Sequence, residues 1–171
     1  MIYKFRITSP ESEDFHLGME LDGRHTFFDF HAYIQNSIGY ESHQLASFFV
    51  PGQYGQKEKE VSMIDTGSNG GIYLVMHKTY LNKVIGLHQP QLIYTFDFIN
   101  DRSLKIELTG IVMERNLKEP TVTLNRGVAP VQVLEETSFV PESVKNHDDE
   151  IFMDFGILND YTELYGEMED Y

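Results

Sequence analysis

The feature that most constrains the fold of this chain is the alternation of apolar and polar residues in four separate stretches. Successive side chains of a β-strand point to opposite faces, so this pattern predicts strands with one buried face and one exposed face. The apolar positions are Tyr3, Phe5 and Ile7; Phe15, Leu17, Met19 and Leu21; Leu92, Tyr94, Phe96 and Phe98; and Leu104, Ile106 and Leu108. The first two stretches are expected to form a hairpin with a long loop, and the last two a hairpin with a tight turn at residues 100–101.

Helices and weaker strands complete the predicted fold. Apolar residues recur at helical spacing over residues 27–38, after a capping-box pair formed by Thr26 and Asp29, and Gly39 suits the end of this helix. Shorter elements are expected at 45–50 (strand), 61–64 (strand) and 79–85 (helix), whereas the mixed-charge run at 57–60 is typical of a loop. Strands grouped around two helices, without βαβ alternation, predict an α+β fold: a largely antiparallel β-sheet with two helices packed on it.

Charge divides the chain into two parts. The chain has 171 residues and a formal net charge of −14, and single domains commonly span roughly 100–200 residues. Residues 142–171 contain ten acidic residues and one basic residue, whereas residues 1–141 contain 17 acidic and 12 basic residues. We therefore expect a single α+β domain over 1–141, followed by an acidic, aromatic-rich tail over 142–171 that forms either a peripheral helix or a partner-binding segment.

Composition excludes several classes of function. With no cysteine, the chain has no disulfide framework, no thiolate metal site and no cysteine nucleophile. The acidic balance opposes direct binding to nucleic acid and to anionic membranes. The N-terminus lacks the apolar core of a signal peptide, and apolar runs fall far short of the roughly 20 residues of a membrane span. We expect a cytoplasmic protein without membrane contact.

Two motifs suggest chemistry but lack the partners that chemistry requires. Asp65-Thr66-Gly67 matches the aspartic-protease signature, yet that mechanism needs two carboxyl groups that share a proton, and the motif occurs once. The surrounding glycines, serine and asparagine are typical of a turn. Seven histidines are present, but none has metal-ligand spacing. The sequence predicts neither a metal nor a cofactor, although histidines distant in sequence could still converge.

Several short stretches, in their order along the chain, resemble one known family. They are residues 27–35 (FFDFHAYIQ), 38–40 (IGY), 45–49 (LASFF), 54–55 (YG), 92–98 (LIYTFDF) and 127–132 (GVAPVQ). The pattern resembles the plasmid pRiA ORF-three-like family, most closely a branch of Bacteroidales-type bacteria, and some members of the family are passengers of insertion elements. The family has no established biochemical activity, so the resemblance implies a fold and little about chemistry.

The resemblance also implies differences from other members. Broader members carry Gly-Asp after the aromatic-Asp-Phe triplet, followed by Trp and His, where this chain has Ile99-Asn100, Arg102 and Leu104. Any activity that those family residues support is expected to be lost here.

One candidate ligand site lies at the predicted hairpin. Tyr94, Asp97, Asp101 and Arg102 are the candidate ligand-binding residues, and Glu107 would extend the polar cluster. A buried carboxyl group with a raised pKa would mark a site there. The alternative is that Asp97 is structural and pairs with Arg102 or with a backbone N–H group.

The sequence favours a protein of unknown biochemical activity that acts as a non-catalytic protein-interaction or accessory module. Its acidic tail would bind a basic protein partner, and the candidate contact residues there are Phe152, Phe155, Tyr161 and Tyr165. One alternative is a small hydrolase or ligand-binding enzyme that uses the polar pocket near Phe96–Arg102. Another is a mobile-element-associated, nucleic-acid-related factor. The oligomeric state stays open.

Overall fold

The computed structural model describes residues 1–65 and 73–134. Residues Met1–Leu134 form one compact unit. The predicted boundary at residue 141 and the acidic tail fall outside the described ranges, as do the tail positions Phe152, Phe155, Tyr161 and Tyr165. No helix in the described ranges combines the length and apolar character that a membrane crossing requires.

A mixed sheet dominates the described part of the chain. Its strands are Ile2–Thr8 (β1), His16–Asp22 (β2), Ser47–Pro51 (β3), Lys57–Ser62 (β4), Tyr73–Val75 (β5), Gln91–Asp97 (β6), Arg102–Val112 (β7) and Thr121–Arg126 (β8). The order across the sheet is β5-β4-β3-β6-β7-β1-β2-β8. Neighbouring strands are antiparallel except β4 and β5, which are parallel. The two predicted hairpins, β1–β2 and β6–β7, join through β1 and β7.

One α-helix, Phe27–Ile38 (α1), lies within the described ranges, where the sequence predicts it. The Thr26 side chain accepts a hydrogen bond from the Asp29 backbone N–H (3.1 Å), and the Asp29 carboxylate accepts one from the Thr26 backbone N–H (2.8 Å). This capping box satisfies backbone donors that the first turn leaves unpaired. Gly39 ends the helix with a φ of 74°, a left-handed conformation that glycine adopts without steric cost.

The prediction of two helices on a largely antiparallel sheet is wrong. The expected second helix at 79–85 is replaced by two 3-10 turns, Met76–Lys78 and Leu81–Lys83. The backbone N–H groups of Leu81 and Asn82 donate to the carbonyls of His25 and Gly23, each at 3.0 Å. Because these two N–H groups bond to the loop before α1, they are not available for the backbone hydrogen bonds of a continuous helix.

The two faces of the sheet differ sharply in burial. Alternate residues of the strands pack beneath α1, where the Phe30 ring lies 4.7 Å from that of Phe5 and 5.4 Å from that of Phe48. The intervening residues of β1, β6 and β7 point away from the helix, and several are solvent-exposed: Lys4, Arg6, Gln91, Lys105 and Thr109. We call this second surface the open face of the sheet.

Candidate functional site

A buried arginine organises the end of the β6–β7 hairpin. Arg102 is only 8% exposed, and its Nε and Nη2 atoms donate to both carboxylate oxygens of Glu11, at 3.1 and 2.7 Å. Its guanidinium lies over the ring of Phe96, 5.1 Å from the centroid. Its Nη1 atom lies 3.6 Å from the Asp97 carboxylate and has no hydrogen-bond partner among the described residues. The arrangement resembles a structural ion pair, in which fork-like geometry fixes the loop that contains Glu11 to the start of β7.

Asp97 is held by the turn that follows it. Its carboxylate accepts hydrogen bonds from the Asn100 side chain (2.8 Å) and from the backbone N–H groups of Ile99 and Asn100 (3.1 Å each). The bond from the Asn100 side chain contributes most to holding the pKa of Asp97 below its ordinary value, and Arg102 contributes less. A carboxyl group that serves as a general acid needs a raised pKa, so this environment does not favour that role.

The other two candidate residues lie elsewhere. Tyr94 points into the core beneath α1, where its hydroxyl forms a 2.9 Å hydrogen bond with Nδ1 of His31. Burial lowers the pKa of His31 to about 4 and raises that of Tyr94. Asp101 is exposed at the hairpin turn, with a φ of 52°, and it pairs with Lys57. The structure therefore brings together Asp97 and Arg102 but separates them from Tyr94 and Asp101.

Stretches that carry the family resemblance meet at this same end of the domain. The Tyr40 ring lies 5.3 Å from that of Phe96, and its hydroxyl donates to the Pro130 carbonyl. The Gln132 amide exchanges hydrogen bonds with the Glu41 backbone, at 2.7 and 3.0 Å. Three stretches that are distant in sequence, around residues 40, 96 and 130, thus fasten the end of α1, the hairpin and the segment after β8 to one another.

A groove of about 360 Å³ lies on the open face, and the sequence analysis named only one of its lining residues as part of a site: Glu107, expected to extend the hairpin cluster. Its lining includes Arg6, Thr8, Gln91, Ile93, Lys105 and Glu107, and we refer to it as the sheet-face groove. Arg6 and Glu107 form a 2.6 Å ion pair. Lys105 is exposed and forms no hydrogen bond or ion pair with any described residue. Ile93 is half-buried beside it. The groove therefore combines a cation, an apolar surface and hydrogen-bonding groups.

The described residues do not give the remaining two motifs, the protease-like signature and the histidines, the partners that their chemistry requires. Asp65 pairs with Lys78 at 2.9 Å, and the rest of the protease-like motif lies outside the described ranges. In residues 1–65 and 73–134, no group of three histidine or carboxylate side chains is placed to hold a metal ion.

Comparisons with known proteins agree with the fold and leave the activity open. A family model described as "Plasmid pRiA4b ORF-3-like protein" matches residues 17–150. Among solved structures, the chain is similar to the protein of unknown function MM3350 from Methanosarcina mazei Go1. The TM-score is 0.59 and the identity 21%, and the match covers 72% of this chain and 68% of that one. At this identity the similarity concerns the fold alone. No curated protein matches the chain.

Proposed function

The chain belongs to the plasmid pRiA4b ORF-3-like family, and we propose that it is a non-catalytic protein-interaction module that binds a partner on the open face of its sheet. The observation that carries this proposal is the sheet-face groove, where exposed Lys105 lies beside half-buried Ile93. Binding surfaces commonly combine an apolar centre with polar groups that fix the orientation of the partner. The tail residues that are expected to bind a basic partner lie outside the described ranges: Phe152, Phe155, Tyr161 and Tyr165. The proposal therefore rests on the groove.

An enzyme or ligand site at the hairpin has weaker support. Arg102 is occupied by Glu11 on two of its nitrogens, and Asp97 is occupied by the turn. A ligand at this position would have to displace a partly buried ion pair, in which Arg102 is 8% and Glu11 36% exposed. Breaking a fully buried pair costs about 3–5 kcal/mol, and the cost here lies below that range. A nucleic-acid role gains no support either, since proteins that follow a phosphate backbone commonly neutralise about 6–10 phosphates, whereas this groove offers one cation without a partner among the described residues.

Site-directed photocrosslinking in cells of the source organism tests the proposal. A photoreactive phenylalanine analogue at Gln91, which is exposed in the groove, should give a discrete protein adduct. The same analogue at Asn82, exposed in the 3-10 turn outside the groove, is the matched control and should not give that adduct. The absence of an adduct at Gln91, or identical adducts at both positions, would contradict the proposal.

A further inference from the structure

We infer that the partner segment bound in the sheet-face groove is an extended polypeptide that carries an acidic residue two positions from an apolar residue. This inference rests on the proposed function and specifies the chemistry of its partner. It is argued from the charge in the groove, the register of its strands and the size of the cavity.

The charge in the groove favours an anion. Arg6 and Glu107 satisfy each other through their 2.6 Å ion pair. Lys105 has no carboxylate partner among the described residues, so the lining of the groove carries one uncompensated positive charge. An aspartate or glutamate of a partner would complement this charge. Electrostatic complementarity of this kind contributes to the orientation and specificity of binding.

The register places apolar surface directly beside that charge. Lys105 is paired with Ile93 across the β6–β7 ladder, and Ile93 is paired with Phe49 across the β3–β6 ladder. Residues that are paired in this way have Cβ atoms about 4.5–5.5 Å apart. In an extended segment the residues rise by about 3.3 Å each. Successive side chains of such a segment point to opposite faces, so an acidic and an apolar side chain that both face the groove lie two positions and about 6.6 Å apart. Such a pair can contact Lys105 and the apolar pair at the same time.

The remaining lining suits a peptide backbone. Thr8, which carries a hydroxyl, is paired with Lys105 on the β1 side, and Gln91, which carries an amide, lines the groove on the β6 side. Both are groups that donate and accept hydrogen bonds. The volume of about 360 Å³ lies at the lower end of the range for ligand pockets, which is about 300–1,000 Å³. A short segment is therefore a better match than a large cofactor.

Peptide display on the full chain tests this inference. Selection from a random peptide library should enrich sequences with aspartate or glutamate two positions from apolar residues. Selection on the Lys105→Glu variant should lose this acidic enrichment. Lys83→Glu is the matched control, because Lys83 is also exposed and without a partner in the described ranges but does not line the groove. Its enriched sequences should equal those of the wild type.

Binding of one enriched peptide, synthesised with a fluorophore, gives the magnitude. Fluorescence anisotropy should show about two- to fivefold weaker binding to Lys105→Gln, the effect expected from the loss of one exposed ion pair. Lys83→Gln should bind as the wild type does. Added salt should weaken wild-type binding more than binding by Lys105→Gln, because ions screen exposed charges.

The outcomes separate this inference from the proposed function. Enriched peptides without acidic residues, or equal enrichment on wild type and Lys105→Glu, would overturn the partner chemistry while an adduct at Gln91 preserved the function. Failure to enrich any peptide would also overturn the inference, and absence of the adduct would then remove the function as well. Tighter binding of a single-stranded oligonucleotide than of any enriched peptide would overturn the assignment of a polypeptide partner.

Discussion

Replacement of Arg102 by methionine removes the guanidinium that joins Glu11 to the β6–β7 hairpin while keeping an unbranched side chain over Phe96. The loss includes the two-pronged contact with Glu11 at 2.7–3.1 Å and the nearby charge of Asp97. We expect the protein to fold but to unfold at lower urea concentration than the wild type. Because the chain has no tryptophan, far-UV circular dichroism is the appropriate probe of unfolding.

The magnitude follows from the burial of the three charges. Removal of one partner from a fully buried ion pair costs about 3–5 kcal/mol. The Glu11 side chain is 36% exposed and can be rehydrated, and Asp97 keeps its turn hydrogen bonds. We therefore expect the free energy of unfolding to fall by about 2–3 kcal/mol, which lies below the range for a fully buried pair. For a chain of this size that change lowers Tm by about 4–12 °C.

Arg6→Met is the matched control. Arg6 also pairs with a glutamate, Glu107, at 2.6 Å, but the two side chains are 55% and 47% exposed. An exposed pair contributes about 0–1 kcal/mol, so this variant should lose much less stability than Arg102→Met. Equal losses in the two variants would refute the argument from burial.

The effect of Arg102→Met should also depend on pH. The pKa of Asp97 is lowered in the folded state, first by Asn100 and in smaller part by Arg102. The stabilisation that comes from the ionised carboxylate is therefore complete above the unfolded pKa of about 3.9 and is lost as pH falls through the folded pKa. The difference in the free energy of unfolding between wild type and Arg102→Met should be fully present at neutral pH and should narrow below about pH 4. A difference that is constant across this range would show that Asp97 does not share in the interaction.

Two further predictions concern backbone conformation and pH. Gly127→Ala should lower the free energy of unfolding by about 2–4 kcal/mol, because its φ is +74° and an added Cβ would lie 2.3 Å from the Asp14 carbonyl oxygen. Gly55→Ala should lower the free energy of unfolding by only about 1 kcal/mol, because φ there is +81° but no atom lies within contact distance of the added Cβ. Equal losses for the two variants in urea unfolding would contradict the steric argument. Burial lowers the pKa of His31 in the folded state to about 4, below the ordinary value of about 6.5. The stability that comes from the neutral imidazole should therefore be fully present above about pH 6.5. It should fall by up to about 1.4 kcal/mol per pH unit as the pH drops towards 4. His31→Gln should reduce this slope in urea unfolding at several pH values, and an unchanged slope would assign the pH dependence to other groups.

Local patterns were sufficient for much of the fold. The alternation at Tyr3, Phe5 and Ile7 predicts a strand that the structure places at Ile2–Thr8, and the same argument holds for β2, β6 and β7. The capping box at Thr26 predicts the start of α1, because it depends on side chains only three residues apart.

Elements without a local pattern were missed. Every residue of β8 is exposed, so neither face shows the apolar period that predicts a strand. The charged run at 57–60, expected in a loop, lies in β4. Within the described ranges, β5 pairs with residues 60–62 of β4 and no described strand lies on that side of residues 57–59, a position at which charged side chains are common.

The groove depends on information that no local pattern contains. Arg6 occupies a polar position of one predicted hairpin, and Lys105 and Glu107 occupy polar positions of the other. Their proximity requires β1 to pair with β7, which sets Arg6 opposite Glu107 and Thr8 opposite Lys105 across about 100 residues of chain. A one-residue slip in that register would turn one set of these side chains towards the core, and burial of Phe5 and Ile7 on the other face opposes such a slip. The apolar face therefore fixes the register, and the register in turn assembles the charged face, so a binding surface of this kind becomes visible only when the two hairpins are aligned by their cores.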